Sequence, residues 1–171
     1  ILEVNSHRLA GAEVSARLIR SYPFRELFAH SVGYMGRINE RESRTIDALK
    51  YSGTVSIGKV GLEKFYESQL LGTVGSEQVE TNARGRVMRV LEKTPSIAGD
   101  NLTLHLDSNL QRVGYEGFAG ERGALVAIEI ETGGILALVS APSYDPNLFV
   151  NGISQKNYDG LLCSKDRPLF D

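Results

Sequence analysis

Two apolar runs separated by four turn-forming residues constrain the fold of this chain more than any other feature. The runs cover residues 124–130 and 135–139, and the intervening Glu131-Thr132-Gly133-Gly134 contains glycines able to take positive φ. This pattern predicts a β-hairpin. Because both arms are apolar along their length, we expect the hairpin to lie in the middle of a buried sheet.

The composition is that of an ordinary globular protein. Hydrophobic residues make up 42% of the 171 residues and charged residues 23%, which argues against global disorder. The formal net charge of −2 argues against non-specific nucleic-acid binding. Cys163 is the only cysteine, so no intrachain disulfide can form. No apolar run approaches the ~18–20 residues that span a bilayer, although an anchor could lie upstream.

Local patterns predict a strand and two helices in the first third of the chain. Residues 12–20 alternate between apolar and polar side chains, as in a half-buried strand. Pro23 lies near the first turn of a predicted helix that carries Phe28. Asn39 predicts the start of a second helix, which we expect to extend to Leu49.

The strongest helical pattern covers Gly61 to Leu71. We predict that one face forms an apolar stripe that packs against the helix carrying Phe28; its members are Leu62, Phe65, Tyr66, Gln69 and Leu70. Glu63 and Lys64 are predicted to lie largely outside this stripe. If Phe65 is core, Phe65→Ala should cost ~3–5 kcal/mol.

A second hairpin, a linker and a further unit are predicted after Gly72. Residues 77–91 have strand character on both sides of a turn at 82–85, and residues 94–100 form the best candidate linker. Alternating leucines predict a strand over 102–106, and Asp107 could cap a following helix. Three glycines, at 114, 117 and 120, argue against that helix.

The charges of the second hairpin leave two interpretations open. Arg84, Arg86 and Arg89 face Glu77 and Glu80 across the predicted strands. They could form a patch for an anionic ligand, or they could be cross-strand ion pairs on a solvated ribbon, which we favour.

Residues 53–59 contain two motifs that imitate catalytic or nucleotide sites. Ser56-Ile57-Gly58-Lys59 matches S-x-x-K, in which a lysine one helical turn away supports a serine nucleophile. Glycines interrupt that turn, and no S-x-N or K-T-G companion occurs, so we predict that Ser56 is not a nucleophile. The pattern G-x-x-x-x-G-K over residues 53–59 is typical of phosphate-binding loops. Val60 follows it in place of the Ser or Thr whose hydroxyl holds Mg²⁺, so nucleotide binding is not predicted.

The three histidines lack metal-ligand spacing, so no metal site is predicted.

Four ordered segments resemble class B penicillin-binding proteins. Arg20-Ser21-Tyr22-Pro23 resembles the R-x-Y-P motif of their non-catalytic module, and Gly33-Tyr34-Met35-Gly36 resembles the following G-Y-x-G. Residues 58–63 are similar to the module's G-x-x-G-hydrophobic-Glu motif. Residues 132–147 resemble the strand pair that opens the transpeptidase domain, and residues 144–154 resemble the elongation-type members.

The resemblance implies an α+β chain with two parts. Residues 1–98 would be an N-terminally incomplete, hairpin-rich pedestal module. Residues 99–171 would be the first strands of the antiparallel sheet of a transpeptidase domain, truncated before the catalytic serine. No catalytic residue can therefore be assigned within the chain, and no cofactor is implied. The residues that match structural positions of the family motifs are Arg20, Tyr22, Pro23, Gly58, Gly61, Glu63, Thr132, Gly133, Pro142, Asp145 and Pro146.

The resemblance also implies a function for the parent protein. It would cross-link peptidoglycan stem peptides through a serine acyl-enzyme during cell elongation and would bind β-lactams. It would act at the periplasmic face of the inner membrane. Its implied partners are a membrane glycosyltransferase of the shape, elongation and division class and a rod-shape scaffold protein. The alternative is a free-standing interaction domain without a catalytic half.

Overall fold

The computed structural model describes residues 19–169, except 84 and 86. Within this range the chain forms short helices and three two-stranded antiparallel sheets, as the α+β prediction requires. The strand predicted over 12–20 falls almost entirely outside the described residues. None of the helices in the described range is long and apolar enough to cross a membrane.

The elements that precede Gly72 are short. They are a 3₁₀ helix (Arg25–Phe28), α1 (Ala29–Val32), β1 (Met35–Arg37), α2 (Glu40–Ser43), β2 (Ser56–Gly58), α3 (Gly61–Phe65) and α4 (Glu67–Leu70). β1 and β2 pair antiparallel, with Gly36 opposite Ile57.

The predicted helix start at Asn39 is confirmed. The Asn39 side chain accepts hydrogen bonds from the backbone N–H groups of Arg41 and Glu42, and the Glu42 carboxylate accepts one from the Asn39 N–H at 2.8 Å. This reciprocal capping box satisfies donors that a helix start otherwise leaves unpaired. The predicted extension to Leu49 is wrong, because α2 ends at Ser43.

The prediction of one helix over 61–71 is wrong. The helix is interrupted at Tyr66, whose φ of −99° and ψ of 17° separate α3 from α4. Within α3 itself the buried position is Glu63 rather than Phe65, so the predicted stripe does not form. Phe65 is 79% exposed, whereas Glu63, predicted to lie outside the stripe, is 2% exposed.

Because Phe65 is exposed, we expect Phe65→Ala to destabilise the chain by less than about 1.5 kcal/mol, the upper value for its edge-to-face contact with Tyr66. Lys64→Ala, the control on the same helix, should change stability by no more than about 0.5 kcal/mol. Urea denaturation of the three proteins measures both effects. A loss of about 3 kcal/mol or more in Phe65→Ala would restore the core interpretation.

The second predicted hairpin is confirmed as a solvated ribbon of β3 (Ser76–Thr81) and β4 (Val87–Thr94). Every residue of β4 is exposed. Arg89 pairs with Glu80 at 2.6 Å, as the ion-pair interpretation predicts, whereas the partner of Glu77 is Lys93 at 3.0 Å. Arg84 and Arg86 lie outside the described residues.

The segment predicted as a linker is held against α4. The Asp100 N–H donates to the Gln69 carbonyl at 2.9 Å, and Thr73 and Ile97 exchange two backbone hydrogen bonds. A Cβ added to Gly99 would lie 2.0 Å from the Leu70 carbonyl oxygen, so the two backbones are in direct contact. The strand predicted over 102–106 is wrong, because these residues are irregular.

The rest of the chain builds a helix on a hairpin, followed by two short helices. The elements are α5 (Ser108–Gly117), β5 (Gly123–Ile128), β6 (Ile135–Ala141), α6 (Asn147–Val150) and α7 (Gln155–Leu162). The Asp107 side chain accepts from the N–H groups of Asn109 and Leu110, which confirms the predicted cap. α5 continues through Gly114, whose missing side chain leaves room for Val139 of β6.

The predicted hairpin at 124–139 is confirmed, but the expectation that it lies in the middle of a buried sheet is wrong, because β5 and β6 form a two-stranded sheet with one exposed face. β5 and β6 pair antiparallel, with Val126 opposite Leu138. On one face Ala137 and Val139 are buried beneath α5, whereas Val126 is 55% exposed on the other. A further buried cluster is formed by Ala29, Tyr144 and Phe149, with Tyr34 stacked on Phe149 at a ring distance of 4.1 Å.

Candidate functional site

The predicted motif residues before and after residue 98 meet around the buried carboxylate of Glu63. Arg20 Nε donates to Glu63 Oε1 at 2.6 Å, and the Tyr22 hydroxyl donates to the same oxygen at 3.2 Å. The Tyr22 hydroxyl in turn accepts from the Met35 N–H at 2.8 Å. We call this set, together with Asn147, the Glu63 junction.

The local fold explains why Glu63 points inwards. α3 begins at Gly61, and its first turn places Glu63 beside the segment that carries Arg20 and Tyr22. Burying a carboxylate is costly unless it is paired and hydrogen-bonded. The Arg20 side chain, which is 44% exposed, and the buried Tyr22 supply that pairing.

Three glycines of the predicted motifs allow the backbones to approach closely. Gly33 ends α1 with φ +81°, and a Cβ there would lie 2.0 Å from the Val60 carbonyl oxygen. Gly61 has φ +63°, and its added Cβ would lie 2.7 Å from the Gly33 nitrogen. At Gly58 the added Cβ would lie 2.2 Å from the Glu63 carbonyl oxygen. The G-Y-x-G and G-x-x-G-x-E motifs therefore form one backbone crossing.

The turn Asp145-Pro146-Asn147 is hydrogen-bonded to the backbone of Tyr22. The Asn147 side chain accepts from the Tyr22 N–H and donates to the Tyr22 carbonyl, both at 2.9 Å. Asp145 accepts from the Asn147 side chain at 2.7 Å and from its N–H at 2.9 Å, which fixes the amide orientation. Pro146 is fully buried beside this turn.

The remaining predicted site residues have local roles. Thr132 and Gly133 build the β5–β6 turn, in which the Gly133 N–H donates to the Glu129 carbonyl and the Gly134 N–H donates to the Thr132 hydroxyl. Pro142 follows β6 through a cis peptide bond. Pro23 is exposed and lines a cleft of about 350 Å³ next to the junction. The cleft walls also include Phe24, Phe28, Leu104 and Leu106.

Ser56 is not arranged as a nucleophile. Ser56–Gly58 is the strand β2, so Lys59 does not lie one helical turn from the serine. Lys59 Nζ instead donates to Glu42 Oε2 at 2.5 Å. Partial burial acts to raise the pKa of Glu42, but the Asn39 N–H and the Lys59 ammonium outweigh it and hold that pKa below its usual value.

The electrostatics of the junction keep the Tyr22 hydroxyl protonated and the Arg20 guanidinium charged, because the pKa values of both are raised. Burial, followed by the negative charge of Glu63, raises the pKa of the Tyr22 hydroxyl well above its usual value, against the opposing effect of the Met35 N–H. The hydrogen bond to Glu63 raises the pKa of Arg20. Nearby, burial raises the pKa of Glu67, which accepts from the Gly58 N–H at 2.8 Å and from the Tyr51 hydroxyl.

We expect Tyr22→Phe to cost about 1–3 kcal/mol, because it leaves the Met35 N–H without its acceptor in a partly buried site. The cost should shrink above pH ~10. There the unfolded chain releases the tyrosine proton that the folded chain retains, so wild-type stability falls with rising pH through this group. Urea titrations of both proteins from pH 7 to 11 measure the difference, and a constant difference would contradict the prediction.

Sequence reasoning missed three polar residues that join the two parts of the chain. Asn147 was recognisable as a turn residue after Asp-Pro, but nothing local indicated Tyr22 as its partner. Ser143 donates to the Glu26 carbonyl at 2.8 Å, and Gln111 is 1% exposed and bonded to two elements. No local pattern reveals such contacts across more than 80 residues.

Comparison with known proteins identifies the family of this chain. Residues 1–104 match the penicillin-binding protein dimerisation domain. The chain therefore belongs to the penicillin-binding protein dimerisation-domain family.

Individual relatives narrow the resemblance to one kind of penicillin-binding protein. The chain is 47% identical over 96% of its length to the peptidoglycan D,D-transpeptidase MrdA of Acinetobacter baumannii, and 44% identical over 98% to MrdA of Escherichia coli K12. It covers 25% and 27% of these relatives, so it spans about a quarter of their length.

Solved structures of PBP2 share the fold. The chain is 50% identical to Pseudomonas aeruginosa PBP2, solved in complex with WCK 5153, with a TM-score of 0.79 over 92% of this chain and 31% of that one. It is 30% identical to Helicobacter pylori PBP2 in a complex with MreC, with a TM-score of 0.82 over 99% of this chain and 32% of that one. The predicted resemblance and the α+β fold class are thus confirmed.

Proposed function

We propose that this chain is the non-catalytic, partner-binding part of a peptidoglycan D,D-transpeptidase of the PBP2 type. The observation that carries the proposal is the identity of 44–47% to MrdA transpeptidases over almost the whole chain. The structure supports a scaffolding role, because the predicted motif residues build a buried junction rather than a reactive site. We assign residues 1–98 to the pedestal and residues 99–171 to the start of the transpeptidase domain.

In the parent protein, a serine beyond Asp171 would attack the stem peptide and form an acyl-enzyme that a second stem peptide resolves. β-Lactams would acylate the same serine. The reaction would serve cell elongation at the periplasmic face of the inner membrane, to which an upstream segment would anchor the protein.

A fluorescent penicillin tests the proposal. The full-length gene product should be labelled with one probe per chain, whereas the 171-residue chain should remain unlabelled, because Ser56 lies in β2 and Lys59 is bound to Glu42. Ser56→Ala in the full-length protein is the matched control and should leave labelling unchanged. Loss of labelling in that variant, or labelling of the 171-residue chain, would contradict the assignment. A gene that stops at Asp171 would favour a free-standing interaction domain.

We further propose a rod-shape scaffold protein and a membrane glycosyltransferase of the shape, elongation and division class as partners. The first is supported by the similarity to PBP2 of Helicobacter pylori, whose structure is a complex with MreC. Co-purification of the full-length protein with each candidate from its own organism tests the two partners separately. Failure to co-purify with the scaffold at micromolar concentrations of both proteins would contradict the first assignment.

A further inference from the structure

Gln111 is a buried amide that bonds to two elements distant in sequence. Its side-chain oxygen accepts from the Leu138 N–H at 2.9 Å, and its side-chain nitrogen donates to the Leu138 carbonyl at 2.7 Å. The same nitrogen donates to the Leu27 carbonyl at 2.7 Å. Gln111 thus pairs with β6 as a neighbouring strand residue would, and at the same time holds the 3₁₀ helix.

The segment 25–32, formed by the 3₁₀ helix and α1, is held by further donors through its backbone carbonyls. The Ser143 hydroxyl donates to the Glu26 carbonyl at 2.8 Å, and the Tyr144 hydroxyl donates to the Ala29 carbonyl at 3.4 Å. β6 ends at Ala141, and Ser143 and Tyr144 follow directly after Pro142. Three donors from the second half of the chain therefore bind one short segment of the first half.

The start of α5 is also bonded to β6. The Asp107 N–H donates to the Leu136 carbonyl at 2.8 Å, so the first turn of α5 is fixed to β6 two residues before Leu138. Gln111 is 1% exposed, and leaving its buried partner groups unpaired is costly. The 25–32 segment therefore cannot move from β6 without breaking buried hydrogen bonds or carrying β6 with it.

We propose that Gln111 is a coupling residue: it ties the position of segment 25–32 to β6, so that a displacement of this segment is transmitted to the β5–β6 hairpin. Phe28 belongs to the segment and lines the cleft beside the Glu63 junction, so the segment also borders a solvent-accessible cleft.

Hydrogen exchange of the full-length protein, followed by mass spectrometry, tests the coupling. In Gln111→Met, peptides covering 135–141 and peptides covering 25–33 should both exchange about tenfold faster, because each loses a buried hydrogen bond to the same side chain. Peptides covering the ribbon 76–94 should be unchanged. Gln155→Met, at an exposed glutamine of α7, is the matched control and should alter neither region.

Two results would overturn the proposal. Faster exchange in 135–141 alone would show that Gln111 only pairs the edge of β6. Equally faster exchange in 25–33 and in the ribbon 76–94 would show general destabilisation instead of coupling. If Gln111→Met does not fold, Gln111→Asn replaces it, since the shorter amide cannot bond Leu138 and Leu27 together. The same regional pattern is then expected with a smaller acceleration, and the same two results overturn it.

Discussion

Glu63→Ala should destabilise the 171-residue chain by about 1.5–3 kcal/mol, because it removes a buried charged acceptor from the hydrogen bonds of Arg20 and Tyr22. The substitution leaves the Tyr22 hydroxyl without its acceptor and removes the counter-charge of Arg20. It also opens a cavity where the carboxylate is 2% exposed. Since whole domains are stable by only about 5–15 kcal/mol, this is a large share of the total.

The ribbon offers a matched control for this prediction. Glu80 pairs with Arg89 at 2.6 Å, the same distance as in the Arg20–Glu63 pair, but Glu80 is 52% and Arg89 is 71% exposed. Glu80→Ala should therefore cost no more than about 1 kcal/mol. Urea titrations of the two variants compare a buried and an exposed carboxylate whose distance to arginine Nε is the same. Similar midpoints for both would show that burial of Glu63 contributes little.

Gly33→Ala should cost about 3 kcal/mol or more, because it combines backbone strain with steric overlap. The φ of +81° is unfavourable for alanine, and the new Cβ would lie 2.0 Å from the Val60 carbonyl oxygen. Relief requires α1 and the start of α3 to separate, which would disturb the approach of Glu63 to Tyr22.

Gly85→Ala is the control for a positive φ without steric overlap. Gly85 has φ +76°, but an added Cβ there would meet nothing within 4 Å. It should therefore show only the cost of the left-handed conformation, about 1–2 kcal/mol. Thermal unfolding of both variants measures the difference. Equal losses would mean that the crossing of Gly33 with Val60 can relax without cost.

Local signals in the sequence were enough to place the helix starts and hairpins. Asn39 and Asp107 cap helices because their side chains bond to N–H groups two and three residues away, an interaction contained within the motif itself. The hairpin around Gly133 was predictable for the same reason, since turn residues and apolar arms are adjacent in the chain.

Predictions failed where distant packing overrides local preference. The local helical pattern places Glu63 outside the apolar stripe, but Arg20 and Tyr22 stabilise it in the interior from 43 and 41 residues away. Glycine alone disfavours a helix, yet α5 continues through Gly114, where an added Cβ would lie 3.2 Å from Val139. A strand at 102–106 needs a partner strand, and none pairs with it among residues 19–169 other than 84 and 86.

The buried cluster of Ala29, Tyr144 and Phe149 has a consequence for the thermal unfolding of this chain. The stretch that matches the dimerisation domain ends at residue 104, yet Ala29 and Tyr34 complete their packing only against Tyr144 and Phe149. A polypeptide cut at residue 98 would expose these apolar surfaces to water and leave the backbone of Tyr22 without the Asn147 amide. The end of the dimerisation-domain match therefore does not separate two units that unfold independently. We expect heating to unfold the residues on both sides of it in one transition.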